Sequence, residues 1–245
     1  MHRKTKHNLP HDGDRSPAES GDKSPHSKSA FSLIELIVIL CILGLLVFIL
    51  IPSLANVRNK SRLIDCSGNL KQIGLAFRLW SPDSTSTYPM ARSTNYGGSY
   101  CGTLEVSNLV WRSFQALSNE LGTPLILTCP ADTRAPVRRF ETLQNTNISY
   151  FIGLDANDDW TPQLLLSGDH HLSNGRATTN KVLTIHINDS VRWMGRNHQG
   201  GGNIALADGS VQQPSSMRLQ QSVAIALQDN WKANTNATLR LAMPE

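Results

Sequence analysis

A group of histidines in the last third of the chain could support acid–base or metal chemistry. The run Asp-His-His at 169–171 is followed by His186 and His198, and an imidazole beside a carboxylate suits proton transfer or a divalent metal. No HExxH, GxSxG or comparable motif surrounds these residues, and Gly168-Asp169 is typical of an ordinary turn. The sequence therefore predicts a protein that is not an enzyme, with no catalytic residue and no metal ligand among the histidines.

The acidic stretch at 155–159, Asp-Ala-Asn-Asp-Asp, repeats side-chain oxygens at alternate positions, as calcium-binding loops do. Trp160 stands where such a loop needs its turning glycine, and Leu166 stands where it needs a bidentate glutamate. A solvated acidic turn is the favoured interpretation, and we expect no cofactor. The weak calcium candidates are Asp155, Asn157 and Asp159.

A hairpin signal lies between His198 and the C-terminal part of the chain. Residues 203–207 and 210–212 alternate apolar and polar side chains around Asp208-Gly209, which predicts a two-residue turn with positive φ at both central residues. We interpret His198 and Asp208 as a hydrogen-bonded pair that holds this hairpin, because no nucleophile is placed near either of them.

The elements that position these residues begin with an apolar segment near the N-terminus. Residues 36–51 contain no charged side chain, and with Phe31, Leu33 and Ile34 the segment reaches about 20 residues, roughly what one helix needs to cross a membrane. A lone segment crosses lipid as a helix because lipid offers its backbone no hydrogen bonds. Glu35 lies inside this segment, where an unpaired carboxylate costs about 2–3 kcal/mol or more. We interpret Glu35 as functional, and the alternative is a carboxylate that reaches the lipid headgroups.

The chain after the apolar segment alternates helical and extended patterns. Apolar residues recur at steps of three and four, at Leu70, Ile73 and Phe77. This predicts one helix over residues 31–80, ended by Ser81-Pro82 and kinked or loosened at Pro52. The remaining predicted elements are a loop over 82–105, a helix over 107–121, strands at 124–129, 148–154, 163–166 and 181–186, a helix over 217–229 and a strand at 239–243.

Composition separates the first thirty residues from the rest. Residues 1–30 are polar and lack apolar periodicity, which predicts a disordered leader outside the fold. Removing them from the 245-residue chain leaves 215 residues, enough for the membrane helix and one globular domain. The net charge of +4 includes +2 from the leader, where six Lys and Arg face four Asp and Glu. The remaining chain is close to neutral, so we expect no nucleic-acid partner.

The four cysteines differ in their surroundings. Cys41 lies in the apolar segment, where it is expected to make an ordinary small apolar contact. Cys66, Cys101 and Cys129 lie beyond that segment, where a disulfide can persist if this part is outside the cytoplasm. No CxxC motif or Cys/His spacing suggests a zinc site.

Residues 30–36, Ala-Phe-Ser-Leu-Ile-Glu-Leu, resemble the cleavage and methylation signal of type IV prepilins and type II secretion pseudopilins. That family pattern has a small residue, usually glycine, followed by Phe-Thr-Leu-Ile-Glu-Leu, and this chain departs from it at Ala30 and Ser32. The resemblance implies cleavage after Ala30, methylation of Phe31, a cytoplasmic leader and a head outside the cytoplasm. The residues to which it assigns roles in assembly are Glu35, Gly44 and Pro52.

Three later stretches extend the resemblance to a subgroup of pseudopilin-like proteins. They are residues 66–74, residues 127–132, and a histidine followed ten residues later by Asp-Gly. The residues that carry these motifs are Cys66, Asn69, Cys129, His198, Asp208 and Gly209.

A disulfide prediction follows from these shared motifs. Cys66 and Cys129 both lie within them, whereas Cys101 lies in the predicted loop. We therefore favour a Cys66–Cys129 bond, and a Cys101–Cys129 bond is the alternative.

The predicted fold class is α+β, with a long N-terminal membrane-spanning helix packed on a small antiparallel β-sheet head, as in pilins. The predicted regions are a leader over 1–30 that is removed, a transmembrane half-helix over 31–54, an amphipathic half-helix over 55–80 and a head over 81–245.

The predicted function follows from the resemblance. It implies a pseudopilin, a structural subunit that prepilin peptidase cleaves and that assembles into a pseudopilus or pilus-like fibre of a type II secretion or related system. Expected partners are prepilin peptidase, other copies or related pseudopilins, the assembly platform and membrane lipid. The expected location is the bacterial inner membrane, crossed once, with a periplasmic head. The alternatives are a single-span membrane-anchored protein that binds a ligand or the envelope without polymerising, and a membrane-tethered hydrolase that rests on the histidines alone.

Overall fold

The structure, a computed structural model, describes residues 32–81, 87–100, 109–157, 161–195, 197–234 and 238–244. The chain divides into two compact units, Met1–Phe48 and Ile49–Glu245, each of which is described by itself. The described residues combine helices with antiparallel sheet, so the predicted α+β class is confirmed.

Helix α1 (Leu33–Trp80) begins in the first unit and ends in the second. Its Leu33–Ile51 part has a mean hydropathy of 3.3, and none of its residues is buried. By length and composition this part is a candidate membrane span, and a signal sequence would share those two properties. The predicted helix over 31–80 is therefore confirmed to within two residues at its start.

The second part of α1 is amphipathic because one of its faces lies in the core of the head. Cys66, Leu70, Ile73 and Phe77 follow one another at steps of four, three and four residues, and all four are fully buried. This spacing places them on one side of an α-helix. The ring of Phe77 meets the rings of Tyr88 and Phe114 edge-on, with centroids 5.4 and 6.1 Å away.

The head is built on a six-stranded antiparallel sheet in the order β4-β8-β1-β2-β6-β7. The two central strands, β1 and β2, are buried at every residue. This fits the largely apolar sequence of β1, whereas β2 also buries the polar residues Ser167 and Asp169. A second, two-stranded sheet pairs β3 with β5. The strands are β1 (Tyr150–Gly153), β2 (Leu165–Asp169), β3 (Leu172–Ser173), β4 (Val182–His186), β5 (Arg192–Trp193), β6 (Ile204–Leu206), β7 (Val211–Gln212) and β8 (Thr238–Ala242).

Three further helices complete the described fold of the head. Helix α2 (Leu109–Ala116) is followed at once by α3 (Ser118–Leu121), which ends at Gly122 with φ of 68°, a backbone conformation that glycine favours. Helix α4 (Ser216–Asn234) packs against β5 and β8.

The predicted strand at 124–129 is wrong, because residues Pro124–Leu127 form a 3₁₀ helix. Proline suits the first helical position since it has no backbone N–H to satisfy. The hydroxyl of Thr123 caps this turn by accepting a hydrogen bond from the backbone N–H of Leu125. Short apolar runs do not by themselves distinguish strand from helix.

The second strand of the sheet lies later than predicted. We expected a strand at 163–166 and a turn at Gly168-Asp169, but β2 runs from Leu165 through Asp169. The cause is pairing between strands, since Tyr150 of β1 faces Asp169 and Phe151 faces Gly168. A side chain at Gly168 would collide with the Phe151 ring, so the glycine serves strand packing here.

The hairpin between β6 and β7 forms as predicted, but its turn differs. The backbone N–H of Leu206 donates to the oxygen of Ser210 at 2.9 Å, and that of Gly209 donates to the oxygen of Leu206 at 3.0 Å. Of the two predicted turn residues, Gly209 has a positive φ, 82°, and Asp208 does not. The connection is therefore a three-residue loop closed by a left-handed glycine, another common hairpin geometry.

Gly153→Ala is expected to destabilise the head. A Cβ at Gly153 would lie 1.7 Å from the backbone oxygen of Leu165 and 2.9 Å from its carbonyl carbon, so β1 and β2 would have to move apart. Forcing atoms into a packed core costs about 1–3 kcal/mol, and we expect the free energy of unfolding to fall by that amount. Denaturant titration of the full-length chain in detergent measures this change.

Gly68→Ala is the matched control, because the same methyl group is added in α1 with no neighbouring atom within 4 Å of it. Alanine is favoured over glycine inside a helix by about 0.5–1 kcal/mol, so this variant should be slightly more stable than the native chain. Equal stability of the two variants would contradict the close approach of β1 and β2.

Candidate functional site

A buried disulfide between Cys66 and Cys129 joins α1 to the segment that follows the 3₁₀ helix at Pro124–Leu127. The two Cα atoms lie 5.3 Å apart, within the usual range for a disulfide. The pairing favoured from the sequence is thus the one in the structure. The alternative partner, Cys101, lies outside the described residues, and Cys41 is free and exposed.

His198 lies directly against this disulfide. It sits in the 3₁₀ helix Asn197–Gly200, and its side chain is only 2% exposed. Its Nε2 atom is 3.3 Å from Sγ of Cys129 and 3.5 Å from Oδ2 of Asp169. Three segments far apart in the sequence therefore bring an imidazole, a sulfur and a carboxylate together.

The predicted His198–Asp208 pair is wrong. Asp208 uses its carboxylate to accept a hydrogen bond from the backbone N–H of Ser210 at 2.8 Å, a local turn contact. His198 precedes β6 and Asp208 follows it, so the two residues lie at opposite ends of that strand. The pairing failed because a strand carries its two flanking residues away from each other.

The buried carboxylate of Asp169 is oriented by Asn203. Its Oδ2 accepts hydrogen bonds from the backbone N–H of Asn203 at 2.7 Å and from the side-chain amide at 3.1 Å. Burial raises the pKa of Asp169 to about 7, because a charged carboxylate is poorly solvated there, and the two hydrogen bonds only partly oppose this effect.

Asn69 of α1 also contacts this region. Its side-chain amide donates to the hydroxyl of Tyr150 at 3.5 Å. Burial and then the charge of Asp169 raise the pKa of the Tyr150 phenol, so it stays protonated as a donor or acceptor. Cys66 and Asn69, which the resemblance groups in one motif, thus both connect α1 to the same part of the head.

A second polar group lies beside the first and contains Asp132, His170 and His171. Nδ1 of His170 is 3.5 Å from Oδ2 of Asp132 and 3.0 Å from the backbone oxygen of Ser149. The two imidazole rings have centroids 3.8 Å apart. Burial lowers the pKa of His170 to about 4, and burial also lowers the pKa values of His171 and His198. All three imidazoles are therefore mainly neutral near pH 7.

A small cavity separates the two groups. Its volume is about 10 Å³, which is room for one water molecule or ion and too little for an organic substrate. Oδ2 of Asp132 lies 3.5 Å from Nδ1 of His170 and 3.6 Å from Nε of Arg134, and Nδ1 of His198 makes no hydrogen bond within the described residues. The cavity is lined by Cys129, Asp132, Ser149, Asp169, His171, His198 and Gly201.

Two sets of side chains have the proximity that metal ions require. In each set one nitrogen, oxygen or sulfur atom from every residue lies within 4.8 Å of those from the others. The first set is Cys66, Cys129, Asp169 and His198, and the second is Asp132, His170 and His171. The prediction of no metal ligand among the histidines stays a prediction, because proximity of donor atoms does not show that a metal binds.

Gly209 and Asp208 contact α1 through the hairpin turn. The guanidinium of Arg78 donates to the backbone oxygen of Asp208 at 3.1 Å, and a Cβ at Gly74 would approach Cα of Gly209 to 3.6 Å. Tyr88 donates its hydroxyl hydrogen to the backbone oxygen of Ala207 at 2.9 Å. The turn therefore packs closely on the helix.

The calcium candidates do not come together as a cation site in the described residues. Oδ2 of Asp155 accepts from the backbone N–H of Arg240 at 2.8 Å, and Oδ1 accepts from its Nε at 2.9 Å. A calcium ion would have to displace this arginine. Asn157 forms an isolated bridge with Thr161, and Asp159 lies outside the described residues.

The residues predicted for processing and assembly lie at or near the start of α1. Ala30 and Phe31 lie outside the described residues, whereas Glu35 and Gly44 are exposed positions of the helix. The helix continues through Pro52, whose side chain is not among those described.

The sequence grouped Asp169 with His198 among candidate chemical residues but gave it no partner, and it gave Asp132 no role beyond the shared motif. Cys66, Cys129, Asp169 and His198 are spread over more than 130 positions, and no local spacing predicts their meeting. Asp132 follows Cys129 by three positions within a predicted motif, which was the one local hint of its place.

Comparison with protein-family models, curated proteins and solved structures found no match to this chain.

Proposed function

We propose that the protein is a pilin-like structural subunit, a pseudopilin, that prepilin peptidase processes between Ala30 and Phe31. The mature chain assembles through α1 into a pseudopilus or pilus-like fibre of a type II secretion or related system. The observation that carries this proposal is the exposed apolar part of α1, Leu33–Ile51, in a chain whose head has its own buried core. Exposed apolar surface is unfavourable by about 25 cal/mol per Å², so this part needs lipid or other helices around it.

A second apolar stripe on α1 supports bundling of helices. Val57, Ile64, Leu75 and Leu79 are each between 56 and 64% exposed. Their steps of 7, 11 and 4 residues place them on one side of the helix, opposite the face that is buried in the head. Such a stripe suits packing against the α1 helices of neighbouring subunits.

The remaining parts of the proposal concern location and partners. The leader lies in the cytoplasm, α1 crosses the inner membrane once, and the head is periplasmic, where the Cys66–Cys129 disulfide is stable. The partners are prepilin peptidase, other copies or related pseudopilins, the assembly platform and membrane lipid. The competing function is a single-span anchored protein that keeps its leader and does not polymerise.

Intact-mass measurement of the membrane-extracted protein tests the proposal. In cells with active prepilin peptidase, the chain should begin at Phe31 and carry one added methyl group on its amine. In cells without that peptidase, the same chain should keep residues 1–30, which is the matched control.

Three masses distinguish the alternatives. A chain that retains Ser29-Ala30 in cells with active peptidase would contradict processing and support the plain anchor. A chain cut after the apolar segment would instead identify that segment as a signal sequence. Only a methylated Phe31 terminus agrees with the pseudopilin proposal.

A further inference from the structure

Four ligand-type side chains converge from four separate segments of the head. Cys66 comes from α1, Cys129 from the segment after the 3₁₀ helix Pro124–Leu127, Asp169 from the end of β2, and His198 from the 3₁₀ helix Asn197–Gly200. Their sulfur, oxygen and nitrogen atoms lie within 4.8 Å of one another. Two sulfurs, one imidazole and one carboxylate form a donor set that zinc accepts.

The distances fit a tetrahedral zinc site. With metal–ligand bonds of about 2.0–2.3 Å, neighbouring ligand atoms of a tetrahedron are roughly 3.3–3.8 Å apart. Nε2 of His198 is 3.3 Å from Sγ of Cys129 and 3.5 Å from Oδ2 of Asp169. Two of the ligand-to-ligand distances of a tetrahedral site are therefore present already. The two sulfurs are bonded to each other in the disulfide, and this bond must break before both can bind a metal.

Burial and orientation support a built site. The side chains of His198 and Asp169 are 2% and 5% exposed, and Nε2 of His198, the nitrogen that would bind the metal, faces both Sγ of Cys129 and Oδ2 of Asp169. Asn203 holds the Asp169 carboxylate by two hydrogen bonds, as outer-shell residues do for metal ligands. The imidazole, the carboxylate and the two sulfurs thus have both the burial and the proximity that a shared metal ion requires.

We propose that the reduced form of the head binds one Zn²⁺ through the thiolates of Cys66 and Cys129, Nε2 of His198 and a carboxylate oxygen of Asp169. A dithiol reductant breaks the S–S bond, passes one hydrogen to each sulfur and is itself oxidised to a disulfide. When Zn²⁺ binds, the two thiols release two protons to solvent. The zinc ion and the disulfide are alternatives, and each fastens α1 to the sheet.

Metal analysis of the full-length protein in detergent tests this site. Protein is reduced with a dithiol, desalted without oxygen, and dialysed against Zn²⁺ alone. One zinc per reduced chain and none per oxidised chain is the expected result. No zinc in the reduced chain, or equal zinc in both forms, would overturn the proposal, and binding by the oxidised chain would point instead to Asp132, His170 and His171.

Substitutions separate this site from the other histidines. His198→Ala and Asp169→Asn should each weaken zinc binding by the reduced chain at least about tenfold, since even outer-shell losses cost that much. His186→Ala is the matched control, because His186 lies exposed in β4 and its variant should bind like the native chain. Native affinity in His198→Ala would overturn the assignment.

A spectroscopic measurement on the unmutated chain covers the case in which a variant fails to fold. Reduced native protein loaded with Co²⁺ in place of Zn²⁺ should show a thiolate-to-cobalt charge-transfer band and the intense visible absorption of tetrahedral cobalt. A spectrum without the thiolate band would exclude the two cysteines as ligands and overturn the proposal.

Discussion

Glu35→Leu is expected to leave the chain in the membrane but to abolish its crosslinking into ladders. The substitution removes a carboxylate whose place in lipid is unfavourable by about 2–3 kcal/mol or more, so insertion should not suffer. Assembly should fail because the variant has no carboxylate to pair with the N-terminal amine of a neighbouring subunit. This complete loss of polymer is the largest functional effect that the proposed function predicts.

The pairing role follows from the lack of any other cation. The Leu33–Ile51 part of α1 contains no Lys or Arg, and cleavage before Phe31 would create a methylated amine that still carries a proton. Residues 31 and 35 are about 6 Å apart along a helix axis, and a neighbouring subunit shifted along the bundle could bring its own amine to Glu35. Little water screens such a pair in lipid, so it can set the register between helices.

Amine-reactive crosslinking in membranes measures this effect. Lys60 and Lys71, both exposed on α1, supply the reactive groups in native and variant chains alike. Glu35→Asp keeps the charge on a shorter side chain and should give intermediate ladders. Native ladders from Glu35→Leu would refute the assembly role and return Glu35 to the interfacial interpretation.

Removal of the Cys66–Cys129 disulfide should cost the head about 4 kcal/mol of stability, from the loop-closure entropy of a bond that spans 63 residues. The effect should be seen in the Cys66→Ala/Cys129→Ala variant as a lower free energy of unfolding in denaturant titrations. Native stabilities are commonly about 5–15 kcal/mol, so this loss is a large share of the total.

Two controls make this experiment specific. Cys41→Ala changes the free cysteine of the apolar segment and should leave the stability of the head unchanged. A dithiol reductant with a metal chelator should destabilise the native chain about as much as the double substitution and should not affect the double variant. If the free energy of unfolding of the native chain does not change although the disulfide has been reduced, the bond contributes nothing to stability. Adding zinc in place of the chelator should restore part of the lost stability.

Local patterns in the sequence determined much of the fold. The helix predicted over 31–80 is found as Leu33–Trp80, and the strand predicted at 181–186 is found as Val182–His186. Apolar residues repeat with the period of the element that they build, so these elements are visible without tertiary information. The hairpin around Asp208-Gly209 was also predictable from the sequence, because Asp-Gly is typical of a hairpin turn.

The candidate site was only half visible in the sequence. Cys66, Cys129 and His198 were singled out through their motifs, but spacing gave no reason to place the histidine against the disulfide. His198 was assigned to Asp208, ten positions away, but it lies in a 3₁₀ helix and its partner is Asp169, at the end of β2. A prediction made from spacing pairs residues that are close in the sequence. An antiparallel sheet, however, brings together residues that are far apart in the sequence.

Pairing between β-strands decided the part of the site that local sequence patterns did not predict. Gly168-Asp169 has the composition of a turn, yet β1 and β6 on either side of β2 hold both residues in the sheet, and Asp169 becomes buried as a result. Asp169 can meet His198 and the disulfide only because this register places it there. Local patterns in the sequence were enough to place the long helix α1, the apolar segment and the β6–β7 hairpin. They were not enough for Pro124–Leu127 or for Gly168-Asp169. The register of β2 decided which side chains form the site, because strand pairing acts between residues that no local pattern connects.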